Sequence, residues 1–285
     1  MTQIEKIAMV GLGNMGGRIA RRIDGAGWDL SGYDADPEKR AGAEVATVDS
    51  LEQVAAADAI FFSLPDSRVV EIVVDLSTAD PSSSRRIYAD LGAKGVEFLD
   101  AGISGGAAAA ASGTLTIMAG GSEDALARVA AVFDAFSQRV FHMGSPGSGH
   151  VAKVLNNYLN AMNLSASAEV VVAAKKSGLD LRQFLEVVNS SSGVNFATLK
   201  RFPQIIEGDY MEGGLTTNLM AKDVRLYLEL MRTLEATSFT GPACLGTFDL
   251  ANALGYGDQI SNRVVDAIGD VSGGVRAQAD GGQGA

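Results

Sequence analysis

The sequence predicts an α/β domain with a doubly wound parallel sheet, followed by an all-α domain, with a long helix joining the two. Three observations carry this prediction. Short apolar runs alternate with helical segments in the first half, as in βαβ units. No strand pattern remains after about residue 147, and residues 150–177 contain neither Gly nor Pro. We therefore expect domains over residues 1–147 and 148–270, with a flexible tail over 271–285.

The first domain is predicted to alternate strands and helices. Its apolar or alternating runs predict strands at 4–10, 29–33, 59–64, 72–76 and 114–118, with the edge of another at 98–100. Apolar residues at helical spacing predict helices at 13–25, 37–43 and 122–136. Strands that are apolar throughout are typical of a parallel sheet covered on both faces.

The second domain shows only helical patterns. The helix over 150–177 is expected to end before Gly178, a residue type common just beyond a helix. Further helices are predicted at 180–188, 195–202, 219–235 and 242–254. The residues from 269 onward are rich in Gly and poor in large apolar side chains, which predicts a frayed end.

Composition excludes several classes of protein. Of 285 residues, 47% are hydrophobic, which excludes a disordered chain, and the net charge of −11 gives no general attraction to nucleic acid or anionic lipid. No run of 18 apolar residues predicts a membrane span. Cys244 is the single cysteine, so no intrachain disulfide can form, which fits the reducing cytoplasm where we expect the protein.

A glycine-rich turn lies between the first predicted strand and helix. Gly11-Leu12-Gly13-Asn14-Met15-Gly16 has the spacing G-x-G-x-x-G, which permits a tight turn, close approach of a pyrophosphate and close packing of the helix. Asp34 follows the second strand and could accept hydrogen bonds from a ribose, favouring NAD over NADP. The alternatives are an ordinary glycine turn and, for Asp34, a solvated turn residue before Pro37.

Two further groups of residues suggest chemistry on a small acid. Ser104-Gly105-Gly106 offers a hydroxyl and unhindered N–H groups that suit a carboxylate, the alternative being a plain turn before the alanine-rich stretch 107–111. Lys153 and Asn157 lie four residues apart and share a helix face. Desolvation would lower the pKa of Lys153, so that its neutral amine could take a hydroxyl proton, while Asn157 holds the hydroxyl. The alternative is a lysine reaching to solvent.

The chain resembles the β-hydroxyacid dehydrogenase family, whose typical member is 3-hydroxyisobutyrate dehydrogenase. Four stretches carry the resemblance in order: the turn from Gly11 to Gly16; Asp100-Ala101-Gly102-Ile103-Ser104-Gly105-Gly106 with Gly113-Thr114-Leu115; Gly147-Ser148-Gly149-His150-Val151-Ala152-Lys153-Val154-Leu155-Asn156-Asn157; and Lys222-Asp223. The four stretches are spread across nearly the whole chain.

The resemblance implies a Rossmann-type domain and an NAD-dependent enzyme. Its reaction would be the reversible oxidation of a small 3-hydroxy acid to a semialdehyde or 3-oxo acid. Lys153 would be the general base, or the general acid in reverse, with Asn157, Ser104 and Gly105 as the other catalytic residues. The substrate would be held by Ser104, Gly105, Gly106, Lys153 and Asn157. The cofactor would be held by Gly11, Leu12, Gly13, Asn14, Met15, Gly16, Asp34, Leu64, Pro65, Thr78 and Lys222.

Related groups differ at identifiable positions. Decarboxylating 6-phosphogluconate dehydrogenases carry a glutamate seven residues after the lysine, where this chain has Asn160, so we expect no decarboxylation. Imine reductases replace the lysine, which Lys153 argues against. We interpret His150 and His142 as structural rather than catalytic. Two functional alternatives stay open: a non-catalytic NAD-binding protein, and a reductase of glyoxylate- or tartronate-type semialdehydes. The exact hydroxy acid is not predicted, and a homodimer or homotetramer is expected.

The sequence departs from the family between the third and fourth strands. Only residues 65–71 connect the Leu64-Pro65 strand end to the next apolar run, where the family usually has a full helix and a loop. A parallel crossover normally needs a dozen residues or more. We therefore predict a local distortion in this segment, with a strained connection or a shortened or lost strand. We expect this distortion to affect the affinity for the cofactor more than any other property.

Overall fold

The computed structural model describes residues 4–62 and 72–278, and all structural statements below concern these residues. The strands are β1 (Lys6–Val10), β2 (Asp29–Tyr33), β3 (Ala59–Phe62), β4 (Ile72–Asp75), β5 (Glu97–Ser104), β6 (Leu115–Gly120) and β7 (Ser137–Gly144). The helices are α1 (Gly16–Gly25), α2 (Pro37–Ala41), α3 (Leu51–Val54), α4 (Pro81–Gly92), α5 (Gly106–Ser112), α6 (Glu123–Phe133), α7 (Ser148–Lys176), α8 (Leu181–Asn189), α9 (Phe202–Ile205), α10 (Thr217–Thr233), α11 (Gly241–Ala251) and α12 (Val264–Val271). Ala197–Arg201 and Asn252–Tyr256 form π-helical turns, and Ser261–Arg263 forms a 3₁₀ turn.

The described strands form one mostly parallel sheet in the order β2-β1-β3-β4-β5-β6-β7. The doubly wound α/β fold and the helical region after it are confirmed. One pair departs from the predicted parallel arrangement, since β5 and β6 are antiparallel. The physical reason is the short connection through α5, which returns the chain directly beside the strand it has just left.

The sheet is buried on both faces along its central strands. Alternate residues of β1 enter two different apolar clusters: Ile7 and Met9 belong to one, Ala8 and Val10 to the other. In the larger cluster Phe61, Phe133 and Phe136 meet edge to face, with ring centroids 5.8 to 6.3 Å apart. This two-sided burial explains why these strands read as uninterrupted apolar runs.

Strand β7 was not predicted from the sequence. Most of its residues are exposed or half-buried, and its sequence Ser-Gln-Arg-Val-Phe-His-Met-Gly carries no continuous apolar run. Its pairing with β6 across the backbone ladder, rather than apolar burial, makes it a strand. Helices α4, α5 and α12 were also missed, although Asp80 before Pro81 is a recognisable start, since its side chain accepts hydrogen bonds from Ser82 N and Ser83 N.

The predicted distortion between the third and fourth strands falls on residues 63–71, which lie outside the described residues. The flanking strands are both present and are neighbours in parallel register, with Ala59 opposite Ile72. Loss of a strand, one of the expected outcomes, is therefore wrong. The conformation of the connection itself stays a prediction.

The chain divides into two compact units, residues 1–153 and 154–285, so the division falls inside α7. Helix α7 confirms the long helix predicted over 150–177, and Gly178 beyond its end has φ +77°. In the second unit, Tyr158 stacks on Tyr227 with ring centroids 3.6 Å apart. No helix within the described ranges is long and apolar enough to cross a membrane.

The tail is shorter than expected. The sequence predicted flexibility from residue 271, but residues 272–278 pack against the helical unit, where Ala277 is buried. Lys175 Nζ donates to the Gln278 carbonyl at 2.9 Å, and Val275 N donates to the Gly269 carbonyl. This close packing requires glycine at position 269, because a Cβ there would lie 2.0 Å from the Val275 carbonyl oxygen. At this end of the chain, residues 279–285 lie beyond the described range.

Candidate functional site

The sheet brings four predicted site positions to one edge. Gly11 follows β1, Asp34 follows β2, Thr78 follows β4, and Ser104 ends β5. These four strands run parallel to one another, so their carboxyl ends lie along the same edge. Ligands of doubly wound folds bind outside this edge, near the strand where the chain order reverses, which here is β1. Leu64 and Pro65, predicted at the same edge, lie outside the described residues.

The glycines of the first turn have separable tasks. Gly11 has φ +97° and its N–H donates to the Tyr33 carbonyl at 2.7 Å. A Cβ on Gly16 would lie 1.7 Å from the Gly11 carbonyl oxygen, so this glycine is needed for the turn to close against α1. A Cβ on Gly13 would meet nothing within 4 Å. The space beside Gly13 is therefore open to a ligand, and the fold does not need this glycine for its own packing.

Asp34 is buried, which argues against a solvated turn residue. Its exposed fraction is 3%. Its Oδ2 accepts from Leu12 N at 2.8 Å and its Oδ1 accepts from Asp36 N at 3.0 Å. Each carboxylate oxygen has a second lone pair, so both can still accept from a sugar hydroxyl. Asp34 thus ties the glycine-rich turn to the end of β2.

The residues around this turn fit a dinucleotide. A groove beside Gly13 is lined by Asn14, Arg18, Arg21 and Lys39. Helix α1 has no acidic residue in its first turn and Met15 before it makes no side-chain cap, so no protein side chain competes with an anion for the first N–H groups and the positive end of the helix dipole. The turn from Gly11 to Gly16, with Leu12, Asn14 and Met15 inside it, is where NAD phosphates would be held.

The second glycine turn leads into α5. Gly105 has φ +129° and Gly106 has φ +70°, both in the region that favours glycine. A Cβ on Gly105 would also lie 2.5 Å from the Ala109 Cβ, while one on Gly106 would meet nothing within 4 Å. Ser104 is half-buried at the end of β5, and no side chain caps the N-terminus of α5. The turn places Ser104 next to the backbone N–H groups of the two glycines, an arrangement that fits both a carboxylate site and a plain turn.

Lys153, a residue of α7, packs against β5, the strand that ends at Ser104. A Cβ on Gly102 would be 2.5 Å from Lys153 Cβ and 2.9 Å from Lys153 Cγ, so the stem of Lys153 occupies the space that a side chain at 102 would fill. Only 9% of Lys153 is exposed, which argues against a lysine reaching to solvent. The packing brings the start of the Lys153 side chain to β5, two residues before Ser104.

Asp100 fixes the start of the helix that carries Lys153, a role the sequence analysis did not assign. This carboxylate is fully buried. Its Oδ1 accepts from Gly147 N and its Oδ2 from His150 N, each at 2.7 Å. A carboxylate at a helix N-terminus satisfies backbone donors and opposes the positive end of the dipole. The only available signal was the position of Asp100 inside the quoted motif.

The two histidines are held in structural contacts. His150 is fully buried, with Nδ1 2.7 Å from Ser84 Oγ and Nε2 3.3 Å from the Asp75 carbonyl oxygen. The carbonyl can only accept, so Nε2 carries the proton and the ring is satisfied while neutral. His142 Nε2 lies 2.8 Å from the Gly121 carbonyl oxygen. These contacts agree with the structural interpretation of both residues.

In the second unit, Asn157 is held by an acidic side chain. Asn157 Nδ2 donates to Asp223 Oδ2 at 2.6 Å, and Lys222 Nζ lies 3.0 Å from Asp223 Oδ1. Asn157 and Asp223 are buried, while the Lys222 side chain is 45% exposed. Because a carboxylate only accepts, the amide nitrogen of Asn157 must face Asp223, which leaves Oδ1 to accept from another donor. Asp223 was quoted in the family motif without a role.

Comparisons with known proteins agree with this geometry. A family described as the NAD binding domain of 6-phosphogluconate dehydrogenase matches residues 6–74 and 68–144, and one described as NAD-binding of NADP-dependent 3-hydroxyisobutyrate dehydrogenase matches residues 147–268. A Pseudomonas aeruginosa protein named NAD-dependent L-serine dehydrogenase is 33% identical, covering 90% of this chain and 95% of its own. The mouse mitochondrial 3-hydroxyisobutyrate dehydrogenase is 34% identical, covering 85% of this chain and 78% of its own. The chain belongs to the 3-hydroxyisobutyrate dehydrogenase family.

As a member of that family, the chain is an NAD-dependent dehydrogenase acting on the hydroxyl group of a hydroxy acid. A structure of Mycobacterium tuberculosis 3-hydroxyisobutyrate dehydrogenase with L-serine superimposes with a TM-score of 0.84, at 30% identity over 92% of this chain and 98% of that one. The first family match is split into two overlapping pieces at residues 68–74, the region where the sequence departs from the family pattern.

Proposed function

We propose that this 3-hydroxyisobutyrate dehydrogenase family member interconverts a small 3-hydroxy acid and its semialdehyde or 3-oxo acid, with Lys153 as general base and acid. The observation that carries the proposal is the burial of Lys153 with its stem packed on Gly102, two residues before Ser104. The stem of the proposed proton acceptor and the proposed carboxylate-binding turn thus lie at neighbouring points along β5.

Each residue has a task that its surroundings support. The Ser104 hydroxyl and the N–H groups of Gly105 and Gly106 donate to the substrate carboxylate. The second N–H of Asn157 Nδ2 donates to the substrate's hydroxyl oxygen, because Asp223 uses only the first, and the single hydroxyl proton stays available to Lys153. Lys153 Nζ, when neutral, takes the hydroxyl proton, and in reduction it returns that proton to the oxygen. Lys222 holds Asp223 through the ion pair and, as the resemblance implies, contributes to the cofactor site.

Cofactor binding is proposed at the edge of the sheet in the first unit. Bound NAD supplies the acceptor for the hydride that leaves the hydroxyl-bearing carbon. The turn from Gly11 to Gly16 holds the phosphates and Thr78 lies by the nicotinamide, while Leu64 and Pro65, outside the described residues, stay predicted cofactor contacts that the resemblance implies. Asp34 accepts from the ribose hydroxyls, and its charge would repel the extra phosphate of NADP.

Decarboxylation is not expected. The glutamate that would protonate an enol after loss of CO₂ is replaced by Asn160, whose Oδ1 already accepts from Arg201 Nη2 at 2.9 Å. An amide has no acidic proton to give at that position. The product should therefore retain its carboxylate.

The named relatives suggest two substrates with one shared fragment. 3-Hydroxyisobutyrate and L-serine both carry a hydroxymethyl group on the carbon next to the carboxylate, and they differ in a methyl or ammonium substituent there. The residues assigned above address only the shared fragment. Reduction of tartronate-type semialdehydes would use the same residues in the opposite direction and is the second candidate.

A homo-oligomer is proposed from apolar exposure in the helical unit. Leu159 on α7 is 59% exposed and Phe239 is 90% exposed. A dimer or tetramer would cover them.

A substrate panel combined with cofactor binding tests the proposed function. NADH formation would be measured with 3-hydroxyisobutyrate, L-serine and 3-hydroxypropionate, with NAD and NADP in parallel. NADH consumption would be measured with tartronate semialdehyde, and NADH affinity by fluorescence titration. We expect turnover of at least one of these compounds, with NAD preferred. Tight NADH binding without any turnover would instead support the non-catalytic NAD-binding protein.

A further inference from the structure

Arg18 is a positively charged side chain at a place where the helix dipole disfavours one. It is the third residue of α1 and therefore lies in the first turn of that helix. The N–H groups of a first turn form the positive end of the dipole, which repels a cation and attracts an anion. The first turn of α1 contains no acidic residue that would balance this charge. An anion at this place would therefore be attracted by the helix and by Arg18 together.

Hydrogen bonds to Asn14 hold the Arg18 guanidinium at the start of the helix. Arg18 Nε donates to the Asn14 carbonyl oxygen at 3.0 Å and to Asn14 Oδ1 at 3.3 Å. This is the direction in which helical side chains lean, since each Cα–Cβ bond tilts toward the N-terminus. A guanidinium has five N–H groups, and both bonds use the one on Nε. The N–H groups on Nη1 and Nη2 thus remain for an acceptor beside the glycine-rich turn.

The other cations that line the groove beside Gly13 already have negative partners. Arg21 Nη1 lies 2.6 Å from a carboxylate oxygen of Glu44. Lys39 Nζ lies 4.0 Å from a carboxylate oxygen of Asp36. Within residues 4–62 and 72–278, no carboxylate pairs with Arg18. Of the three cations of this groove, Arg18 is therefore the one whose charge the described protein does not balance.

The groove beside Arg18 leads toward the end of β2 that carries Asp34. Leu12 belongs to the lining of the groove, and its N–H donates to Asp34 Oδ2 at 2.8 Å. Lys39, from the helix that follows β2, belongs to the lining as well. Asp34 is the residue proposed to accept from the ribose of adenosine. A phosphate beside Arg18 would therefore be the one attached to adenosine rather than the one attached to the nicotinamide ribose.

We propose that Arg18 binds the adenosine-side phosphate of NAD through its Nη1 and Nη2 groups. The spacing G-x-G-x-x-G accounts for phosphate binding by glycines, backbone N–H groups and the helix dipole, so this side-chain contact is not part of the pattern. A guanidinium that meets a phosphate forms strong, charge-assisted hydrogen bonds. The inference rests on the proposed cofactor site at the turn from Gly11 to Gly16. A purely structural role, in which Arg18 only holds Asn14, predicts no dependence on the phosphate.

Competition between NADH and fragments of the cofactor tests the proposal. NADH fluorescence gives the Kd for NADH, and displacement of NADH gives the Kd values for ADP-ribose, 5′-AMP and adenosine. The wild type would be compared with Arg18→Met, which keeps an unbranched stem but has neither charge nor N–H groups. We expect Arg18→Met to weaken NADH, ADP-ribose and 5′-AMP at least about tenfold and adenosine less than about twofold. Unchanged 5′-AMP binding, or an equal loss for adenosine, would overturn the proposal.

Arg22→Met is the matched control for the removed charge. Arg22 lies on the same helix, but its Nε donates to the Ala135 carbonyl oxygen at 3.1 Å, and it is not in the lining of the groove. We expect its NADH Kd to stay within about twofold of the wild type. Arg18→Lys keeps the charge but loses the planar fork, so its NADH Kd should lie between those of the wild type and Arg18→Met. Equal losses in Arg18→Met and Arg22→Met would contradict a specific contact.

Thermal unfolding separates a phosphate contact from a structural role. Without cofactor, removing a cation from the positive end of α1 should leave the Tm unchanged or raise it. With the same excess of NADH, the Tm of Arg18→Met should rise less than that of the wild type, because a ligand stabilises the native state according to its affinity. A lower Tm without cofactor, together with an unchanged NADH Kd, would assign Arg18 to the structure and overturn the proposal.

Two further comparisons identify which claim fails. If Arg18→Met weakened NADPH and 2′,5′-ADP but not NADH, Arg18 would serve a 2′-phosphate and the proposal would be wrong. The binding measurements need no turnover, so they are independent of the proposed reaction. If no hydroxy acid is oxidised while Arg18→Met weakens NADH and 5′-AMP, the proposed reaction fails and the Arg18 contact stands. If hydroxy acids are oxidised and Arg18→Met binds NADH like the wild type, the Arg18 contact fails alone.

Discussion

The Asp100 carboxylate accepts a 2.7 Å hydrogen bond from the backbone N–H of His150, in the first turn of the helix that carries Lys153. The other oxygen of Asp100 accepts from Gly147 N at the same distance. A buried side chain of β5 therefore fixes where α7 begins. Lys153 follows three residues later, so its position relative to Ser104 depends on this attachment.

Replacing Asp100 by Asn should misplace Lys153 and destabilise the fold. An amide can accept at only one of the two positions and places an N–H group against a backbone donor at the other. We expect a loss of about 2 kcal/mol in the free energy of unfolding and a fall in kcat of roughly 10- to 100-fold. Denaturant unfolding and steady-state kinetics measure the two effects. Asp90→Asn, an exposed change on α4, is the control, and an Asp100→Asn protein with wild-type kcat would contradict this role.

Replacing Gly102 by Ala should affect catalysis through steric contact with Lys153. The new methyl would lie 2.5 Å from Lys153 Cβ, so the lysine or the start of α7 must shift. We expect a cost of about 1–3 kcal/mol in stability, a lower kcat, and unchanged NADH affinity. Gly92→Ala provides a matched control, because its methyl meets nothing within 4 Å. Wild-type kcat in Gly102→Ala would show that Lys153 does not need this packing.

Replacing Gly13 by Ala should weaken cofactor binding without affecting folding, whereas replacing Gly16 by Ala should destabilise the fold. Ala at 13 points into open space, so we expect an unchanged Tm and an NADH Kd raised at least about tenfold by contact with the phosphates. Ala at 16 would collide with the Gly11 carbonyl oxygen, so we expect a lower Tm. Thermal unfolding without cofactor and NADH titration give both numbers. If Gly13→Ala binds NADH normally, the phosphates do not lie at this turn.

These glycines also show what the sequence could predict. The turn from Gly11 to Gly16 and helix α7 were predictable because their signals are local: glycine spacing in one case, a long stretch without Gly or Pro in the other. Strand β7 was not, because it is mostly exposed and is held by backbone pairing with β6.

The supporting residues of the site were harder to predict for a different reason. Asp100 and His150 are 50 residues apart in sequence, and Asn157 and Asp223 are 66 apart. A local sequence pattern cannot predict a contact between residues so far apart. Asp100 and Asp223 were therefore recognised as parts of family motifs, but the sequence did not indicate what either residue does.

The Cys244 thiol should be unreactive in the folded protein. Cys244 is buried, and this burial raises the pKa of its thiol to about 11. At pH 8 a thiol with that pKa is about 0.1% ionised, against about a quarter for an unperturbed cysteine. Iodoacetamide should label Cys244 slowly at pH 8 and rapidly after unfolding, as measured by mass spectrometry.

The raised pKa of the Cys244 thiol also makes the free energy of unfolding depend on pH. The unfolded thiol ionises near its ordinary pKa of about 8.5, while the folded thiol stays protonated up to about 11. Cys244 therefore makes its full contribution to the free energy of unfolding below about pH 8.5, and this contribution is lost as the pH rises toward 11. A Cys244→Ala variant should show a weaker loss of stability over this range. Rapid labelling of the native protein at pH 8 would contradict the buried, protonated thiol.

The central claim is that Lys153 handles the substrate proton, and the variant Lys153→Met tests it most directly. Methionine keeps an unbranched apolar stem over Gly102 but cannot accept a proton. With a hydroxy acid that the wild type oxidises, we expect kcat to fall by roughly 10²- to 10⁴-fold while the Kd for NADH stays within about twofold. A Lys153→Met enzyme that retains kcat within about threefold of the wild type would contradict the assignment of Lys153 as general base.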